Sequence, residues 1–122
     1  MANNQIYSGD VQDWANDSGS AVISGQVVVV GETLGIAQVD IAIGAIGSVA
    51  FEDVWAVPKA DAAVIAHGEF VTWDASAANF DDALATPAVG DVTLGAWATE
   101  SKGATSGATI EVRLTGRPGT LA

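Results

Sequence analysis

Side chains able to do acid-base or nucleophilic chemistry are few in this chain. Its 122 residues include one histidine, His67, and no cysteine. His67 stands just before Gly68, at the predicted end of a short helical segment, where a histidine usually interacts with the last carbonyls or the helix dipole. A Ser-His-Asp triad would need His67 as its base, and no Gly-x-Ser-x-Gly elbow presents a serine nucleophile. The sequence therefore predicts no catalytic residues and no enzyme.

Carboxylates are abundant, but their spacing matches no recognised metal site. The segment 74–82 superficially resembles a calcium loop, yet Asn79 stands at its sixth position, where glycine is needed, and Ala85 at its twelfth, where glutamate is needed. The pairs Asp81-Asp82 and Glu52-Asp53 are interpreted as solvated carboxylates. The chain also lacks a Gly-x-x-x-x-Gly-Lys-Ser/Thr phosphate-binding motif. We predict neither a metal site nor a cofactor.

The charge of the chain is strongly negative. Fifteen Asp and Glu residues against four Lys and Arg residues give a net charge of −11. A chain of this kind is repelled by phosphate backbones and anionic lipid headgroups, so we expect no direct nucleic-acid partner and no membrane partner. No basic segment precedes an apolar one at the N-terminus, and no apolar run approaches about 18 residues. We therefore expect a soluble, unsecreted protein.

Short apolar runs separated by glycine turns dominate the sequence. The four valines of 27–30, fenced by glycines, predict a strand buried on both faces, because valine packs well on a pleated surface. Alternating apolar and polar residues predict half-buried strands at 34–43 and 108–115. The runs 48–51 and 54–57, separated by Glu52-Asp53, predict a hairpin or a bulged strand that Pro58 ends.

The single helical candidate is the segment 62–67, which Asp61 can cap and Gly68 can close in the left-handed conformation. The polar segment 74–86 is an excursion that Phe80 attaches to the body. Short strands about every 10 residues favour an all-β fold over a parallel α/β sheet. We predict an all-β protein: a small single-domain β-barrel or sandwich with one short helical turn. Its predicted divisions are an extended N-terminal arm at 1–16, a β-barrel domain at 17–116 and a flexible C-terminal tail at 117–122.

Four tryptophans are many for so short a chain. Trp73 and Trp97 lie in strand-like runs and are predicted to fill the core. Trp14 lies in the polar arm and is either a core residue or an anchor for a partner protein, since aromatic side chains dominate interface energetics. Trp55 is open to the same two interpretations. The predicted partner-binding residues are Ile6, Tyr7, Val11, Trp14 and Trp55.

A succession of short motifs resembles the tailed-bacteriophage capsid cement family, also called head decoration proteins. The resemblance runs from about Tyr7 to Leu114, and no single motif in it is specific. The motifs are, in chain order, Tyr7-x-x-Gly-Asp, Ser24-Gly25-x-Val-Val-Val-Val-Gly31, Leu34-Gly35-Ile36-Ala37, Val57-Pro58-Lys59, Gly68-x-x-Val71-x-Trp73-Asp74 and Ile110-x-Val112-Arg113-Leu114.

The resemblance implies a structural virion protein that binds the exterior of a phage capsid and stabilises the expanded head, as trimers at local threefold axes. Its partners would be the major capsid protein and further copies of itself. Its location would be the outer surface of the capsid, after assembly in the host bacterial cytoplasm. We expect the N-terminal arm to add a strand to an exposed edge of a capsid subunit. Deleting residues 2–14 is then expected to abolish particle binding and to leave the fold intact.

A second interpretation is a ligand-binding β-barrel, in which Trp55 and Trp97 stack on a small molecule or glycan. Quenching of tryptophan fluorescence by a ligand would favour it, whereas self-association without a ligand response favours assembly. An enzyme is the third and weakest interpretation, because no acid-base pair is evident in the sequence.

Overall fold

The chain folds into two antiparallel β-sheets in a computed structural model that describes residues 4, 6 and 8–122. No helix occurs among the described residues, so the all-β prediction is confirmed. The strands found there are β1 (Val11–Ala15), β2 (Val27–Val30), β3 (Thr33–Ala37), β4 (Ile46–Ala50), β5 (Val54–Pro58), β6 (Phe70–Asp74), β7 (Asn79–Asp81), β8 (Val92–Ala98), β9 (Thr109–Leu114) and β10 (Thr120–Leu121).

The first sheet is a curled half-barrel of four strands in the order β1-β4-β3-β2. The valine run forms β2, and its two faces contact different hydrophobic clusters. Val27 and Val29 pack against one cluster, whereas Val28 and Val30 pack against the other. Both faces of β2 therefore pack against hydrophobic side chains, as predicted. The strand lies at an edge of the sheet, however, and Val29 and Val30 are only half-buried.

The second sheet has six strands in the order β5-β9-β8-β6-β7, with β10 paired to β8. The alternation predicted for 108–115 is confirmed in β9, where every second side chain is buried. The inward faces of both sheets form the first hydrophobic cluster. Its buried members are Val27, Leu34, Ile36, Val57, Ala63, Ile65, Val71, Trp73, Phe80, Val92, Ala96, Ala98, Ile110, Val112 and Leu114.

The second hydrophobic cluster lies on the opposite face of the half-barrel. Gly35 of β3 is required there, because a Cβ atom at this position would lie 2.5 Å from Val49 Cγ1 and 3.0 Å from Phe51 Cε1. The missing side chain lets Val49 and Phe51 pack directly against β3. Its buried members are Trp14, Val22, Val28, Ala37, Ile41, Val49 and Phe51.

The predicted pairing of the runs 48–51 and 54–57 is wrong. These runs form β4 and β5, which belong to different sheets, and β5 pairs with β9. Asp53 turns the chain between the two sheets with φ of 75°, a left-handed conformation that aspartate tolerates better than most residues. Glu52 and Asp53 therefore lie where the chain passes from the first sheet to the second.

The predicted helical turn at 62–67 is also wrong. Lys59 is buried, and its Nζ donates hydrogen bonds of 2.6 Å to the carbonyls of both Ala60 and Ala63. Ile65 instead forms an antiparallel bridge with Lys102, so the segment is drawn into extended pairing. The Asp61 carboxylate accepts from the Gly107 N–H and caps no helix. These long-range contacts outweigh the local preference for a helix.

Both chain ends carry strands. Within the predicted arm, residues 11–15 form β1, and within the predicted tail, residues 120–121 form β10. The predicted strand at 34–43 is shorter, because β3 ends at Ala37 and Ile41 forms only an isolated bridge with Val22. The division into 1–16, 17–116 and 117–122 stays a prediction. In the described part of the chain, no helix is long and apolar enough to cross a membrane.

Candidate interaction surfaces

The N-terminal segment leads into an edge strand and carries uncovered apolar side chains. Ile6 is 86% exposed, and Val11, the first residue of β1, is also exposed. Tyr7 lies outside the described residues. Strand β1 pairs with β4 on one side, and no other described strand pairs with its outer edge. An edge of this kind presents free N–H and C=O groups to a partner strand.

Trp14 holds β1 against its own sheet. Its ring is buried in the second hydrophobic cluster, beside Val28 and Val49. Asn16, directly after β1, uses every hydrogen-bonding position of its side chain. Nδ2 donates to the carbonyls of Ser20 (2.8 Å) and Ile41 (3.0 Å), and Oδ1 accepts from the N–H (3.1 Å) and the hydroxyl (2.6 Å) of Ser18. Most of the Trp14 ring is therefore in contact with its own chain and is not accessible to a partner.

Trp55 and Trp97 lie on opposite faces of the six-stranded sheet. Trp55 is half-buried against the first hydrophobic cluster and donates from Nε1 to the Glu52 carbonyl at 2.7 Å. It is paired with the fully buried Val112 of β9, whereas Trp97 is paired with the exposed Arg113. Because neighbouring residues of a strand point to opposite faces, the two rings are separated by the sheet. One ligand cannot stack on both tryptophans.

Four side chains form a continuous row across the outer face of the same sheet. The strand register places Val54 opposite Arg113, Arg113 opposite Trp97, and Trp97 opposite Phe70. Val54, Arg113 and Phe70 are exposed and Trp97 is half-buried. Tryptophan and arginine are the residue types that most often dominate binding energy at interfaces. We call this set the outer row.

A groove of about 740 Å³ lies beside β2. The Ala37 N–H donates to the Gln26 carbonyl, so the alternation of the ladder directs the backbone groups of Val27 and Val29 away from β3. Among the described residues, no charged side chain lines the groove. Its lining comprises Trp14, Ser18, Val22, Ile23, Ser24, Gly25, Gln26, Val27, Val28, Val29, Pro58, Trp73, Ala75 and Ala78.

Close to the groove, the connection from β7 to β8 projects two aliphatic side chains into solvent. Leu84 is 91% exposed and Val89 is 95% exposed. The stretch 83–90 contains no charged residue, and we call it the exposed loop. The Asp82 carboxylate accepts from the Leu84 N–H at 2.9 Å, and the buried Asp91 carboxylate accepts from the Ala88 N–H at 2.9 Å. Carboxylates thus fix both ends of the loop.

The segment that resembles a calcium loop is a self-contained turn. The Asp74 carboxylate accepts from the Ala77 N–H and the Ser76 hydroxyl, and these hydrogen bonds hold the pKa of Asp74 below its ordinary value. Among the described residues, no three His, Asp or Glu side chains are close enough together to hold a metal ion. Asp74 therefore serves the turn between β6 and β7.

Sequence reasoning did not find the outer row, the groove or the exposed loop. The outer row depends on strand order, which no local pattern encodes. The exposed loop did leave a signal in the sequence, since Leu84 and Val89 flank Pro87 in a stretch without charged residues.

Comparison with known protein families decides between a structural and a catalytic interpretation. A family model described as phage cement protein matches residues 6–114, which is most of the chain. The chain belongs to the phage cement protein family. The resemblance found in the sequence is therefore confirmed. A search of curated proteins found no match to this cement protein.

Membership of the family fixes the coarse function. Cement proteins are structural and not catalytic, and they stabilise the capsid. The family implies binding to the capsid and a location in the virion capsid.

Proposed function

We propose that this cement protein binds the outer surface of a phage head as trimers at local threefold axes and thereby stabilises the expanded shell. The observation that carries this proposal is the family match over residues 6–114. Its partners are the major capsid protein and two further copies of itself. A net charge of −11 suits an exterior position, because such a chain does not compete with the shell for packaged DNA.

The N-terminal segment is the proposed contact with the shell. The outer edge of β1 is free of any other described strand, and Ile6 and Val11 present apolar side chains beside it. Strand addition at such an edge gains main-chain hydrogen bonds, while the side chains supply specificity. Tyr7 and the half-buried Trp55 belong to the proposed interface. Trp14 contributes by fixing β1, since its ring is buried.

Repetition makes a modest contact sufficient. An interface of about 1,000 Å² is at the weak end of specific protein interfaces. A trimer that is bound through three such contacts, on a lattice that orients them in advance, gains from high effective concentration. Capsid stabilisation therefore needs no cofactor and no large interface in each copy.

Replacing residues 2–8 with a glycine-serine segment of equal length is expected to lower the occupancy on expanded heads by at least about tenfold. The replaced residues precede β1, so every strand of the described part of the chain is kept. The longer deletion of 2–14 is less suitable, because it removes most of β1 and the buried Trp14. Occupancy is measured as the ratio of cement to shell protein on gradient-purified heads.

Two single substitutions test the same contact more specifically. Ile6→Asp places a charge in the proposed contact, and Ile43→Asp places the same charge at an exposed isoleucine in the connection from β3 to β4. We expect only Ile6→Asp to reduce occupancy. Equal occupancy of the wild type and the 2–8 replacement would refute the role of this segment in binding the shell.

The outer row supports one alternative, which is binding of a small molecule or glycan on the face that carries Trp97. Phe70 and Arg113 flank Trp97 directly, as in a stacking platform, whereas Trp55 lies on the other face. If this alternative holds, a glycan panel quenches tryptophan fluorescence in the wild type and not in Trp97→Ala. Absence of quenching by any glycan removes it.

A further inference from the structure

The exposed loop has the properties of a binding element and not of an ordinary surface turn. Leu84 and Val89 are almost fully exposed in a chain of net charge −11. Pro87 restricts the backbone between them, and the hydrogen bonds to Asp82 and Asp91 fix the ends. A loop held in one conformation loses little entropy when it binds. The two aliphatic side chains are therefore displayed ready for a partner.

The groove beside β2 is complementary to this loop in its chemistry. Its lining is mainly apolar, contains two tryptophan rings and carries no charged side chain. The loop of the same chain does not fill it, since Leu84 and Val89 are exposed. A site of this size and polarity favours aliphatic side chains that arrive on an uncharged segment.

The charge of the chain favours a second copy of the same chain as the partner whose aliphatic side chains fill the groove. Two chains of net charge −11 repel each other, so a contact between copies must avoid opposing carboxylates. The edge strand β1, for example, carries the exposed carboxylate of Asp13. The exposed loop and the groove form a pair of surfaces on this chain that are both apolar and uncharged, which lets two copies meet without opposed charge.

The loop and the groove are also neighbours on each chain. The Asp91 carboxylate accepts from the Ala88 N–H of the loop and from the Ala75 N–H of the groove wall, at 2.9 and 3.1 Å. Where the loop of one copy binds the groove of the next copy without reciprocal exchange, the contact between identical chains is head-to-tail. Such a contact closes into a ring when its rotation permits, and three copies give the symmetry of a local threefold axis.

We infer that the exposed loop of one copy binds in the groove of a second copy, with Leu84 and Val89 against the lining beside β2. This inference rests on the proposed trimer and names the surfaces that form it. The contact repeats around the ring, so each copy gives one loop and receives one.

Cross-linking tests the contact directly, because the chain has no cysteine of its own. Ile23→Cys lies in the groove lining and Leu84→Cys in the loop, and both native side chains are exposed, so the fold is preserved. We expect an oxidised mixture of the two single variants to give mixed disulfide dimers in preference to dimers of either variant. A double variant is expected to give covalent trimers. The mixture is oxidised in solution and on decorated heads.

Val64→Cys is the matched control for Ile23→Cys, since the native side chains are 64% and 65% exposed and Val64 lies outside the groove. We expect its mixture with Leu84→Cys to give at least about tenfold less mixed dimer. In sedimentation experiments, Leu84→Asp is expected to weaken self-association about tenfold or more, and Val64→Asp is not.

The outcomes separate this inference from the proposed function. Selective cross-linking in solution by a chain that does not bind heads supports the contact and refutes the cement role proposed for the shell exterior. Binding to heads with no selective cross-link in solution or on the heads overturns the contact and leaves the cement role standing. A disulfide within one double-variant chain also overturns it, because the loop then reaches its own groove.

Discussion

Phe80→Ala is expected to lower the free energy of unfolding by about 3–5 kcal/mol, the usual cost of removing a buried phenylalanine ring. Phe80 is fully buried in the first hydrophobic cluster, and its ring meets that of Trp73 edge-to-face at 5.0 Å between centroids. The Phe80 carbonyl also accepts from the Ala60 N–H. The loss is measured by urea unfolding, followed by tryptophan fluorescence at one fixed protein concentration.

Phe70→Ala is the matched control for this prediction. Phe70 belongs to the exposed outer row, so the same atoms are removed from a side chain that packs less. We expect its effect on the free energy of unfolding to stay below about 1 kcal/mol. Similar losses for the two variants would show that Phe80 does not attach β7 to the body.

The attachment of β7 by Phe80 was predictable because the signal is local. One large apolar residue in a polar, alanine-rich stretch has few other roles. The same holds for β9, where strict alternation from Thr109 to Leu114 indicates one buried face and one exposed face. The positive φ of Gly68, 92°, also agrees with the prediction that glycine closes its segment in the left-handed conformation.

Predictions failed where distant residues decide the structure. The segment 62–67 has local features of a helix, yet the bridge from Ile65 to Lys102 and the buried Lys59 ammonium hold it in another conformation. Likewise, β4 and β5 are separated by three residues along the chain and still belong to different sheets. Short strands carry no local information about which sheet they join, because antiparallel partners are chosen by packing.

The candidate surfaces also fall into those that local sequence predicts and those that depend on distant residues. Exposed Ile6 and Val11 follow from the polar composition of the N-terminal segment. Trp14 does not, because its burial depends on the curl of the half-barrel around the second hydrophobic cluster. The outer row and the groove depend on strand order and on the pairing of sheets. A sequence pattern can suggest that aromatic residues bind a partner, but only the register shows which of them share a face.

Asn16→Ala is expected to destabilise the protein by about 2–6 kcal/mol, because it removes four hydrogen bonds that contribute roughly 0.5–1.5 kcal/mol each. Asn16 is buried, and its backbone N–H also donates to the Ala45 carbonyl. The side chain joins the end of β1 to the segment that carries Ile41. We expect its loss to loosen β1 and to shift the Trp14 emission toward that of a solvated ring, as measured by fluorescence and urea unfolding.

Asn79→Ala is the matched control, since the buried Oδ1 of Asn79 has no hydrogen-bond partner among the described residues. Removing an unsatisfied oxygen costs little, so its effect is expected to stay below about 1 kcal/mol. If Asn16→Ala were no more destabilising than Asn79→Ala, the side-chain network would not be what holds β1 in place. The burial of Trp14 alone would then have to account for the position of the edge strand that we propose as the contact with the shell.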